Sequence, residues 1–155
     1  MNPARASACQ AGFSLVELMV ALAIAGLAAT AVVIALPGGM ARPALAAERF
    51  AARLAAARDS AVIDGQPVAC TIDAMGYAFA RRRNGAWVPP SDRRLQRQAW
   101  PAGLAIALPA EGPRRLVFDA MGMPSDPFAA VLSADGTARR VSVARDGTVR
   151  VNAAP

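Results

Sequence analysis

Glu17 is the only charged residue in the 24 positions from Phe13 to Leu36. A carboxylate in apolar surroundings costs on the order of a few kcal/mol unless something neutralises it. Two chemistries suit it. It can pair with a cation on another chain, or it can snorkel to a polar boundary from a helix end. Other reactive side chains are few. Cys70 lies in an apolar, strand-like stretch and reads as a buried, inert thiol. Cys9 belongs to the polar leader, in Ala6-Ser7-Ala8-Cys9, which has no apolar region before it as a lipoprotein site needs. Histidine is absent, which removes the commonest general base and transition-metal ligand. A histidine-based triad is therefore excluded. No phosphate-cradling glycine loop and no paired zinc cysteines occur. No enzyme is read from these residues, and no cofactor.

The aspartates Asp119, Asp126, Asp135 and Asp146 raise calcium as a question. They lack the Asp-x-Asp-x-Asp-Gly loop and a bidentate glutamate, so they read as turn residues, with no metal. All 17 basic residues are arginines, against 11 acidic ones. They cluster at Arg81-Arg82-Arg83, Arg93-Arg94 with Arg97, Arg114-Arg115 and Arg139-Arg140. Such clusters can follow a phosphate backbone. Aromatics are only 5% of the chain, too sparse for a single-strand stacking platform, so solvated surface is the reading preferred.

The elements that must position Glu17 follow from periodicity. A 24-residue apolar helix reaches roughly 36 Å, enough to cross a bilayer. Small residues at Ala21, Ala25, Gly26, Ala28 and Ala29 let such a helix approach a neighbour closely. Pro37-Gly38-Gly39 should bend or end it. A second helix is expected over about 42–63, with Ala46, Phe50, Leu54, Ala57 and Ala61 as its apolar stripe. Glu48, Arg49, Arg53 and Asp59 fall elsewhere on the wheel. Gly65 is its expected terminator, and Pro67 forbids continuation.

Beyond Pro67 the pattern becomes strand-like. Val68–Ile72 and Tyr77–Arg81 flank a hairpin turn at Asp73-Ala74-Met75-Gly76. Weaker strands are expected near Trp87-Val88, Leu104–Leu108, Leu116–Phe118, Ala129–Leu132, Arg139–Val143 and Thr148–Val151. Residues from about Asn84 to Pro101 otherwise read as loops. The fold class expected is α+β: a long hydrophobic helix, then a mostly antiparallel β head.

The segment Gly12-Phe13-Ser14-Leu15-Val16-Glu17 follows a polar leader containing Arg5. It resembles the class III signal of type IV pilins and type II secretion pseudopilins. An ordinary signal peptide, with Arg5 as its basic region and cleavage after Ala44-Leu45-Ala46, is the rival. Its apolar core usually spans about 7–15 residues, shorter than the run here, which Glu17 also interrupts. The resemblance implies a leader over 1–12, cut by prepilin peptidase between Gly12 and Phe13. It implies N-methylation of Phe13 and a transmembrane and filament-core helix over 13–36. Glu17 would pair with the methylated amino terminus of a neighbouring subunit and so direct filament assembly.

The head carries further resemblance. Asp64-Gly65-Gln66-Pro67-Val68 leads into Gly76-Tyr77-Ala78-Phe79, then Gly85-Ala86-Trp87-Val88-Pro89 and Trp100-Pro101-Ala102-Gly103-Leu104. This order is similar to the H-type minor pseudopilins of type II secretion, in the GspH/FimT family. The resemblance implies a single-pass protein of the bacterial inner membrane with its head, residues 37–155, in the periplasm. Its expected partners are prepilin peptidase, other major and minor pseudopilins and the inner membrane, with no small-molecule substrate. It would help export folded proteins across the outer membrane. A minor type IV pilin of a pilus or competence system, with DNA contact as an option, is the alternative.

Overall fold

The computed structural model describes the backbone of residues 15–35 and 42–154, with side chains for 15–27 and 42–154. Gly12, Phe13 and the Pro37-Gly38-Gly39 break lie outside the described residues. The chain divides into two compact units, one up to Gly39 and one from Met40 onward.

The first unit contains helix α1, Leu15–Ala35. The second begins with helix α2, Pro43–Asp64. Proline at its first position suits α2, since that residue's N–H would lack an intrahelical partner anyway. The stripe of Ala46, Phe50, Leu54, Ala57 and Ala61 is buried as expected. The helix ends at Gly65, whose φ of +61° is strained for any residue with a Cβ. The Gly65 N–H donates to Val62 O and the Gln66 N–H to Ala61 O, capping two of the last carbonyls.

Nine strands follow among the described residues. The first sheet runs β3 (Ala86–Val88), β2 (Gly76–Arg83), β1 (Val68–Ile72), β6 (Arg114–Phe118), all neighbours antiparallel. A short β4 (Gln98–Ala99) pairs with the start of β2. The second sheet runs β5 (Ala105–Ala107), β7 (Phe128–Ala134), β8 (Thr137–Val143), β9 (Val149–Ala153), also antiparallel. Helix α2 packs on both sheets. One apolar cluster joins the helix stripe to Val68, Cys70 and Ile72 of the first sheet and to Leu132, Val141 and Val143 of the second. The α+β class is therefore the one expected.

The hairpin turn is held by Asp73, whose Oδ1 accepts from the N–H groups of Met75 and Gly76 at 2.8 Å each. Alternation on β8 is also as read: Val141 and Val143 are buried, while Arg140 is exposed and Ser142 half-buried.

The stretch from Asn84 to Pro101 is more ordered than a loop reading allows. Asn84 and Gly85 both have positive φ, 49° and 81°, and close a second tight hairpin from β2 into β3. A 3-10 turn at Arg93–Leu95 follows, started by Asp92 accepting from the Arg94 N–H. It buries Leu95. Then β4 crosses the start of β2 so closely that a Cβ on Gly76 would collide with the Gln98 carbonyl oxygen. Glycine is required at position 76 by this approach.

The head's core is built from its own residues. A fragment starting at Arg42 is therefore expected to fold without detergent. Circular dichroism should show mixed helix and strand, with a cooperative melt. An unfolded or wholly helical product would contradict this layout.

Candidate assembly site

Helix α1 is apolar on all its described sides. Leu15, Val16, Leu18, Met19, Val20 and Leu22 are each between 51% and 75% exposed. At 100° per residue these six span somewhat more than half the circumference, and the exposed Ala21, Ile24 and Ala25 fill the remainder beside Glu17. A helix apolar all round calls for a membrane or a protein interior. Glu17 stands in its first turn, exposed, as the one acidic residue of the helix. A carboxylate there is favoured by the positive end of the helix dipole. Ala21 and Ala25 are exposed on the same helix. Among the described residues no helix is long and apolar enough to cross a membrane. The described side chains of α1 stop at Leu27, whereas the apolar sequence runs on to Leu36.

Cys70 is fully buried, and burial pushes its thiol far above the usual range, so it stays protonated and unreactive. Burial also raises Tyr77 to about 12, despite the opposing influence of Arg53. Asp119 and Asp146 work as turn residues. Asp119 Oδ1 accepts from Met121 and Met123 N–H groups, and Asp146 Oδ1 accepts from the Thr148 N–H. That last bond holds the Asp146 carboxyl below its ordinary range. Among the described residues no group of three metal-ligating side chains comes together.

The arginine clusters divide by role. Arg81 turns inward: its Nη2 lies 2.7 Å from Asp64 Oδ2 and donates to Ser60 Oγ at 2.8 Å, tying β2 to the end of α2. Arg94 stays local, on the Asp92 carboxylate at 2.9 Å. Arg82 and Arg115 do something the sequence reading missed. Their guanidinium carbons lie 5.5 Å and 4.3 Å from the centre of the Trp87 ring. The first of these contacts was foreshadowed by Asn84-Gly85, since a two-residue turn sets Arg82 opposite Trp87. The second joins strands far apart in sequence and left no local signal.

Comparison with known proteins bears on both units. A family model described as type II transport protein GspH matches residues 46–147. A model of the prokaryotic N-terminal methylation motif matches residues 7–33. No curated protein matches the chain. The fold resembles that of the minor pseudopilin EpsH from the type 2 secretion system of Vibrio cholerae. That match has a TM-score of 0.62 and 22% identity, covering 72% of this chain and 96% of that one. A second crystal structure of EpsH gives a TM-score of 0.59 and 18% identity, over 70% of this chain and 94% of that one. The type IV minor pilin FimU of Pseudomonas aeruginosa is also similar, with a TM-score of 0.55 and 19% identity over 69% of this chain and 90% of that one. The apolar helix α1, the α2-on-two-sheets head and a family match over most of the head lead to one assignment: the chain belongs to the GspH family of type II transport proteins and has a pilin-like α+β fold.

Proposed function

We propose that the protein is a minor pseudopilin of a type II secretion pseudopilus. One observation carries this reading: a single chain joins an N-terminal methylation motif over 7–33 to a GspH-type head over 46–147. In this proposal the leader, residues 1–12, is removed by prepilin peptidase between Gly12 and Phe13. The new amino terminus of Phe13 is methylated. Residues 13–36 hold the protein in the bacterial inner membrane as a single pass, with the head, 37–155, in the periplasm.

Assembly with other major and minor pseudopilins then uses Glu17. An ammonium at Phe13 and a carboxylate at Glu17 would each be costly alone in lipid. Pairing them across two subunits neutralises both and fixes the register between the helices. The exposure of Glu17, on a helix otherwise apolar all round, supports this role. The assembled filament would help move folded proteins through the outer membrane.

Processing is checked by mass spectrometry of the mature chain, which should begin at N-methylated Phe13. A mature terminus at Ala47 would favour an ordinary signal peptide. The system is tested by deletion, which should abolish exoprotein export. The likeness to a type IV minor pilin favours a second reading, a subunit of a pilus or competence system. Loss of pili or of DNA uptake with normal export would establish that one instead.

A further inference from the structure

We propose that the outer face of the first sheet, centred on Trp87, Arg82 and Arg115, is a docking surface for a partner protein that presents clustered aspartate or glutamate side chains. The inference stands on the head alone and does not depend on the secretion reading.

The sheet has two faces by alternation. Val68, Cys70, Ile72, Leu116 and Phe118 point into the core. Thr71, Arg82 and Arg115 lie on the opposite face and are exposed, while Trp87 is half-buried. Register puts Arg115 opposite Thr71 on β1, and Trp87 opposite Arg82 on β2. Between those rows lie Ala69 and Ala80, paired with each other. Their methyl groups leave room for two long side chains to meet diagonally across the sheet. Ala69, although outside the core cluster, is only 1% exposed, and it lies on the face where Trp87 and Arg115 meet.

The charge on this sheet is one-sided. Its strands contain Arg81, Arg82, Arg83, Arg114 and Arg115 and no aspartate or glutamate. Arg81 is taken by Asp64. Among the described residues, neither Arg82 nor Arg115 has a carboxylate partner, and both rest on the indole instead. A cation–π contact restrains a guanidinium without using up its N–H donors, so less freedom is lost when a carboxylate binds. Guanidinium and carboxylate match in a bidentate geometry. Tryptophan and arginine are also the side chains that most often dominate binding at protein interfaces.

A nucleic acid fits less well. Single strands bind by stacking bases on free aromatic faces, and this ring already carries two guanidinium contacts. Duplex binding draws on a long series of phosphate contacts, whereas the cations here form one compact group.

The test uses the full chain in a non-ionic detergent, with a short polyglutamate peptide as the probe and duplex DNA as competitor. The peptide should bind at low salt and shift the NMR signal of the Trp87 indole N–H. Trp100 is the internal reference, since its Nε1–H is already bonded to Asp73 O at 2.9 Å. Arg82→Ala with Arg115→Ala should weaken binding by about tenfold or more, as loss of paired charges at an interface does. Arg115→Lys should keep part of it, and Arg93→Ala, on the separate 3-10 turn, should change nothing. The proposal is overturned by absence of binding, by equal binding to the double variant, or by a shift at Trp100 with none at Trp87. It is equally overturned, in favour of nucleic acid, if duplex DNA binds this face more tightly than the peptide. Should the double variant fail to fold, the indole shifts of the unaltered chain decide alone.

Discussion

Glu17→Ala is expected to leave membrane insertion and processing intact while sharply reducing association with partner pseudopilins. The variant helix stays apolar, and alanine has the highest helix propensity, so α1 should persist. What disappears is the carboxylate proposed to neutralise the amino terminus of a neighbour at Phe13. Removing one member of a buried charge pair costs roughly 3–5 kcal/mol, because the other charge is left uncompensated. At about 1.4 kcal/mol per tenfold, that is a loss of roughly two to three and a half powers of ten in association. Co-purification of the variant with its partners, beside an export assay in a deletion strain, reads this out. Normal processing with lost association supports the pairing. Unchanged association and export would mean Glu17 is not the assembly contact.

Phe50→Ala should be the most damaging single change in the head. The Phe50 ring is fully buried where both sheets and their connection meet. Its centroid lies 4.7 Å from Tyr77 on the first sheet, 6.4 Å from Phe128 on the second and 5.2 Å from Trp100 between them. Truncation removes buried area and leaves a cavity that three large rings cannot easily close. The expected cost is about 3–5 kcal/mol, which for a head of this size lowers the melting temperature by roughly 10–25 °C. Phe50→Leu, closer in volume, should cost far less. Thermal denaturation followed by circular dichroism tests both. Near-equal melting of the alanine variant and the parent would show that the aromatic cluster is not the keystone of the head.

Much of this architecture is legible along the chain because it rests on local periodicity. The α2 stripe repeats at three and four residues, and every one of its five named positions is buried. The Asp73 hairpin and the alternation on β8 are likewise set by neighbours in sequence. What was not legible depends on distant parts of the chain. Strand β4 is two residues long, and both are exposed, so it carries no hydrophobic pattern. It exists because Gly76 lets its backbone approach and because the Trp100 N–H donates to the Met75 carbonyl beside it. Asn84-Gly85 is a different case, since its turn chemistry was present but the proline and arginine around it suggested a loop. The candidate assembly residue stood out as a solitary charge. The Arg82–Trp87–Arg115 group did not, because β6, which carries Arg115, joins β1 from beyond β3, β4 and β5 in sequence.

The buried side of α2 is mostly methyl groups: Ala46, Ala47, Ala51, Ala57 and Ala61 line it, with Phe50 and Leu54 as its two large members. Alanine has no rotamers to lose, so fixing this seam against the sheets costs almost no side-chain entropy. Its shallow relief also leaves little slack for added volume. Enlarging these buried alanines to valine or leucine should crowd the packing between the helix and the sheets. The seam is therefore stiff and intolerant of growth, so the helix and both sheets should respond to load as one body rather than as hinged parts.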